Sequence, residues 1–450
     1  MNFAYCIKKV SILILIILVS LAAASTGINK NNREKTLNRE EILNKAYTLL
    51  SRGEIDDAIK LTGKIPSLNS LSKDEREKLF NAFYHGFVTL SEKFRLKEAL
   101  KMSEEWARLY PEDKTAMLYY GSMLIEAGMQ AKALQVFEKG FNLEDKYKKI
   151  DDRLLIAFYY NAASIYSDIN KYHRSLEYIQ KMEKLNPEYP GVDYLKCRVF
   201  FNLSRFDEGL KKCESAFQKH PKFANVLDYL TYAGYYRIKK NYKKSLEIVM
   251  DALRKYPLTD GVALTAAADQ IRLGNYYRAL LLIMREDMIA GSEFYNNKNV
   301  QNLKSTLRQR IENSDTPQAR KAKKVLEIMD LLNNGRHSEA IQEMDKLEEN
   351  LLLYRAVIEV FRGEALAELG NYKQAESTYK NILSRDPTLV MAYCKLFDLY
   401  YNKMDKKQKA MEQLKRAKKI KPIQWKVKQI EKWLEEQEEY EKILKQSGAD

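Results

Sequence analysis

The chain of 450 residues holds few of the residues that carry chemistry: four histidines, four cysteines and three tryptophans. None of the histidines His85, His173, His220 and His337 has a partner at metal-ligand spacing, so no metal site is predicted. The sequence has no glycine-rich phosphate loop and no serine-nucleophile motif, which argues against an enzyme and against any cofactor or small-molecule substrate. Long hydrophobic runs are scarce too. The one at the start, Val10 to Leu21, is short for a membrane span, which needs about 20 residues. It follows Lys8 and Lys9 and is followed by Ala22-Ala23-Ala24, the pattern of a cleaved secretory signal. Residues 1–24 are therefore read as a signal peptide and 25–40 as a linker, with an inner-membrane anchor as the alternative. Cys6 precedes the apolar run, which argues against lipid modification at its end. The expected product is exported, periplasmic or secreted.

What is present is a recurrence. A small residue with a turn in front of it sits at Ala58, Ala133, Ser175, Gly209, Ser245, Ala279, Ala340, Ala375 and Ala410, at steps of 34 to 36 residues over most of the chain. A second small residue lies twelve positions upstream, pairing Ala46 with Ala58, Gly121 with Ala133, Ala163 with Ser175, Cys197 with Gly209, Ala233 with Ser245, Ala267 with Ala279 and Gly363 with Ala375. Two antiparallel helices approach closely only where both carry small side chains, so the pairs mark helix contacts. Gly128, Asn170, Asn241, Gly274, Gly335 and Gly370 mark the turns between them. Pro111, Pro187, Pro221, Pro257, Pro387 and Pro422 each follow twelve residues after a second-helix small residue and close the unit. One such unit cannot bury its apolar face alone, so the chain is predicted to be a stacked array.

In these features the chain resembles the tetratricopeptide repeat family over residues 40 to 422, best in 121–140, 163–187, 233–257 and 363–387. The resemblance implies an all-α, right-handed superhelical solenoid of antiparallel helix pairs with a concave groove for a protein or peptide partner. Carried over position by position, the groove would hold Tyr160, Ser164, Ser167 and Asp168; Tyr194, Arg198, Phe201 and Asn202; Leu230, Arg237 and Ile238; and Leu264, Ile271 and Arg272. Its aromatics and arginines suit an acidic or extended peptide with apolar side chains. The clamp that some relatives use for chaperone C-termini is absent, since its positions hold Leu118, Ser122, Asn161, Gly191 and Leu195. The alternatives are RNA binding of the pentatricopeptide kind, favoured by the net charge of +15, and a purely structural envelope protein.

The expected organisation is an N-terminal array over 41–287, a joint at 288–320, a C-terminal array over 321–422 and a capping helix with tail over 423–450. The joint is read from Gly291, the polar run Asn296 to Asn302 and a Thr316-Pro317 helix start. Extra chain is expected near Ser67 to Lys73 and Glu144 to Asp152, where the repeat step lengthens. The lysine clusters at 239–244, 321–324 and 415–421 read as solvated helix ends. Finally, Cys197 and Cys213 should face each other across one hairpin, and in an oxidising compartment they can form a disulfide, whereas Cys394 should stay reduced.

Overall fold

The computed structural model describes residues 39–447 apart from 66–67, 291–296, 348–350 and 422–423. The expected signal peptide and nearly all of the linker lie outside the described residues, as does Pro422. Every regular element among the described residues is helical. The chain forms two compact units, one reaching to Phe223 and the other beginning at Ala224.

The first unit is five helical hairpins. They pair α1 (Arg39–Arg52) with α2 (Ile55–Thr62), α3 (Lys73–Glu92) with α4 (Leu96–Leu109), α5 (Lys114–Glu126) with α6 (Gln130–Phe141), α7 (Asp152–Asp168) with α8 (Tyr172–Leu185), and α9 (Pro190–Asn202) with α10 (Phe206–Lys219). The second unit pairs α11 (Val226–Ile238) with α12 (Tyr242–Lys255) and α13 (Val262–Arg272) with α14 (Tyr276–Ile289). A single helix α15 (Lys298–Glu312) follows. Then α16 (Pro317–Asn333) pairs with α17 (His337–Asp345), α18 (Leu352–Glu368) with α19 (Tyr372–Arg385), and α20 (Val390–Asp398), extended by a π turn over Leu399–Lys403, with α21 (Lys407–Ile420). The last helix is α22 (Trp425–Ser447).

One turn geometry makes all ten hairpins. Five residues before each second-helix small residue the backbone enters the left-handed region, at Gly53, Phe94, Gly128, Asn170, Ser204, Lys240, Gly274, Gly335, Gly370 and Asp405. The residue after it donates its N–H back to the carbonyl five before, as in Met129 to Leu124 at 2.8 Å and Lys171 to Tyr166 at 2.8 Å, which satisfies the end of the first helix. In the last hairpin the bond runs from Lys406 to Tyr400, one residue further, because the π turn adds a residue. Between α11 and α12 the left-handed position is Lys240, and the Asn241 side chain caps α12 by accepting from the Lys244 N–H.

The small-residue pairs are the helix contacts. Ser175 Oγ donates to the Ala163 carbonyl at 2.7 Å. A Cβ built on Gly121 would come within 2.7 Å of the Phe137 ring, and one on Gly363 within 2.5 Å of the Tyr379 ring. Those rings come from the position sixteen residues downstream, which is buried in the other paired hairpins too, as Ile179, Cys213, Val249 and Ile283. The side chain at that position fills the space that the first small residue leaves.

One expectation is corrected. The segment 288–320 does not separate an N-terminal array from a C-terminal one: Val300, Leu307 and Ile311 of α15 are buried in one core running from Ala233 to Ile430. That unit also closes on itself. Lys421 donates to the Leu258 carbonyl at 3.0 Å and pairs with Asp260. Gln424 Nε2 and Trp425 Nε1 donate to the carbonyls of Met288 and Asp287, at 3.3 and 2.8 Å. Arg285, 2% exposed, pairs with Asp386 at 2.8 Å. These contacts join residues more than a hundred positions apart, which local periodicity cannot register. Of the expected capping helix, Val427 and Ile430 are buried and Trp433 and Leu434 pack against the core.

Candidate interaction surfaces

The first-helix template that places a groove along the array is only partly accessible. Tyr194 is fully buried, and its hydroxyl donates to the carbonyls of Ala216 and His220 at 3.2 and 3.0 Å, inside its own hairpin. Leu264 and Ser167 are buried as well. Arg198 is 8% exposed and donates to the Tyr160 hydroxyl at 3.3 Å. Phe201 packs edge-on against Phe206 across the turn, with ring centroids 6.0 Å apart. Ser164, Asp168, Leu230 and Ile271 are half-buried, and Asn202, Ile238 and Arg272 are exposed.

Arg237 is not available as a free cation. Its guanidinium makes a two-pronged pair with Asp269, at 2.7 and 2.9 Å, and also reaches the Thr265 carbonyl. Asp269 is buried and accepts a further bond from Ser245 at 2.6 Å. The three arginines expected to form one basic groove therefore have three different environments: one buried against a tyrosine, one ion-paired, one exposed.

Of the expected set, the structure brings together Tyr160 and Arg198. It adds Tyr189 and Phe223, which form an edge-to-face triad with Tyr160 at centroid distances of 6.4, 6.2 and 5.9 Å. Both added rings lie in connections between hairpins, where a helix-face template does not look. Gly191 permits the triad, since a Cβ there would come within 2.7 Å of both tyrosine rings.

A cleft of about 700 Å³ in the first unit was not expected from the sequence. It is lined by the second helices α2, α4 and α6 together with the start of α5. Ile59, Ala107, Pro111 and Met117 supply its apolar lining. Its ionised groups other than Lys139 are neutralised in place. Glu105, nearly buried, accepts from Thr62 at 2.7 Å and from both Nε and Nη2 of Arg108, at 2.6 and 2.7 Å. Lys101 pairs with Asp56 at 2.6 Å, and Glu104 takes the Tyr120 hydroxyl at 2.8 Å and Lys132 at 3.3 Å. Beside Lys101, Asp56 is held below the ordinary carboxylate range. The volume falls within the range of ligand pockets.

The sulfurs of Cys197 and Cys213 are joined in a disulfide, with Cα atoms 5.0 Å apart. Cys197 is the first-helix small residue of its hairpin and Cys213 the filling position sixteen later, so the bridge replaces the contact that Gly121 makes with Phe137. Cys394 is free and buried, and burial pushes its thiol up to about 12. Among the described residues no group of His, Cys, Asp and Glu could hold a metal ion, and no helix is long and apolar enough to cross a membrane.

Among the described residues, ten hairpins with a shared turn, seven of them with a small-residue pair at the contact, define an α-helical repeat protein. The tetratricopeptide repeat model matches two of them, at residues 156–189 and 360–389. No curated protein matches the chain in sequence. Among solved structures it is similar to a tetratricopeptide repeat protein from Parabacteroides merdae, at 13% identity and a TM-score of 0.39 over 60% of this chain and 98% of that one. MamA from Desulfovibrio magneticus shares 16% identity and a TM-score of 0.33 over 40% of this chain and 97% of that one. YrrB, described as having an unusual peptide-binding site, shares 19% identity and a TM-score of 0.31 over 39% of this chain and 86% of that one.

Proposed function

We propose that the protein is a non-enzymatic scaffold of the bacterial cell envelope that binds a protein or peptide partner through the cleft of its first unit. The observation that carries this reading is the cleft itself: ligand-sized, with an apolar lining, and rimmed by charges that, Lys139 aside, already satisfy one another. Such a site rewards an apolar side chain on an extended segment, because docking there strips water from carbon and leaves the existing ion pairs intact. Export is supported by the Lys8 to Ala24 pattern and by the Cys197–Cys213 bridge, since disulfides persist in oxidising compartments.

The test is affinity capture from envelope fractions with the wild-type chain, an Ile59→Glu variant in the cleft and a Tyr160→Ala variant at the aromatic triad. The reading expects one set of partners, lost with Ile59→Glu and kept with Tyr160→Ala. The reverse pattern would move the site to the first-helix groove. Sequencing the N-terminus of the natural protein tests export, with a start near Ser25 expected and an intact Met1 contradicting cleavage.

A further inference from the structure

The net charge of +15 divides almost equally between the units, but the basic residues are unevenly placed among the turns. Residues 224–450 hold 40 basic and 32 acidic residues, a net +8. Two consecutive turn regions, 237–244 and 271–278, account for seven basic residues and no acidic one: Arg237 and four lysines in the first, Arg272 and Arg278 in the second. The corresponding regions of the first unit, 50–57, 91–98, 125–132, 167–174 and 201–208, hold eight basic and nine acidic residues. The repeat plan by itself therefore does not make a turn basic.

The two basic turns share an edge. Arg237, one residue from the end of α11, and Ser245, early in α12, both bind Asp269, three residues before the end of α13. That pins the first turn beside the second. Beyond this anchor Lys239, Lys240, Lys243, Lys244 and Arg272 are exposed, and Lys244 pairs with Glu247 of its own helix at 3.0 Å. Between the cations stand two apolar side chains, Ile238 at 44% and Leu273 at 38% exposure. Nucleic acid would call for exposed rings on which bases stack, and the ring-bearing residues here, Tyr242 and Tyr276, are half-buried. Exposed aliphatic side chains among lysines fit a charged surface with an apolar interior beneath it.

We propose that this edge docks on an anionic phospholipid bilayer, with Lys239, Lys240, Lys243 and Arg272 on headgroup phosphates and Ile238 and Leu273 entering the interface. The experiment is sedimentation of the full chain with phosphatidylglycerol-containing vesicles and with pure phosphatidylcholine vesicles at low salt. The readout is the preference for the anionic vesicles, because the apolar run at residues 10–21 is common to every variant. Each basic residue near such a surface is worth about five-fold in partitioning, so neutralising four should reduce the preference on the order of 600-fold. The variant is Lys239→Ser, Lys240→Asn, Lys243→Ser and Arg272→Ser, with asparagine at 240 because the backbone there has φ of 58°. Lys93→Ser with Lys97→Ser, in a first-unit turn whose three basic residues are offset by two acidic ones, should leave the preference roughly within two-fold of wild type. Ile238→Ser with Leu273→Ser keeps every charge and should weaken binding about ten-fold. Wild type without an anionic preference, an unchanged preference in the four-site variant with native circular dichroism, or an equal loss in the first-unit control would each overturn the proposal. Salt-dependent binding to single-stranded RNA without vesicle preference would overturn it in favour of nucleic acid.

Discussion

The two units use one hairpin plan and end differently. In the first, each hairpin packs on its neighbours, and its cores run locally along the chain, one from Leu43 to Met123 and one from Ala107 to Val199. In the second, a single core spans Ala233 to Ile430, and the end of the last hairpin returns to the α12–α13 connection and to α14. A stack of repeats is stabilised by nearest neighbours, whereas a closed unit adds contacts that no repeat template contains. The inserted helix α15 and the residues Lys421 to Trp425 make that difference.

The comparison can be broken from either side. The largest expected effect falls on the first unit: Cys197→Ala with Cys213→Ala should cost about 3 kcal/mol, as expected for a bridge closing a loop of some 15 residues. The loss should appear in the first unit's unfolding transition by calorimetry and leave the second unchanged. An effect nearly as large, about 2–3 kcal/mol, is expected in the second unit and depends on pH. Burial raises the Glu286 carboxyl to about 7, against one backbone donor, the Gly261 N–H at 2.7 Å. Its folded value lies above its unfolded one, so its contribution is full below about pH 4.5 and is lost as pH rises through 7. Glu286→Gln should flatten that slope and raise the melting temperature above pH 7; a slope unchanged by the substitution would show that another group is responsible.

Ala267→Leu or Ala279→Leu should overpack the α13–α14 contact and cost about 2 kcal/mol. An unchanged melting temperature in both would remove the small-residue register. The smallest effect is a gain: Phe94, 84% exposed with φ of 55°, occupies a left-handed position that suits glycine, so Phe94→Gly should stabilise the first unit by about 1 kcal/mol. A loss of stability would mean that the exposed ring makes contacts the fold depends on.

These particulars show what the sequence could and could not carry. The hairpin register was legible because it is local: twelve residues separate Ala163 from Ser175, and helical geometry fixes the rest. Glycine marks the left-handed turn at Gly128 and Gly274, but Phe94, Ser204, Lys240 and Asp405 adopt the same backbone without a compositional sign. The contact also survives without a small partner, as where Phe87 and Ile328 stand twelve residues before Ala99 and Ala340. The groove template placed Tyr194 on a surface, yet a ring with two carbonyl acceptors in its own hairpin is better satisfied inside. The aromatic triad, the cleft and the closing contacts join residues from separate elements, and periodicity says nothing about such meetings.

The closure of the second unit is tested most directly by hydrogen exchange followed by mass spectrometry on wild type and on Lys421→Ala, Gln424→Ala, Trp425→Ala together. Closure predicts faster exchange in 258–289, more than 130 residues away, along with 407–430, while 73–219 keeps its protection. Faster exchange confined to 407–430, with 258–289 unchanged, would contradict it.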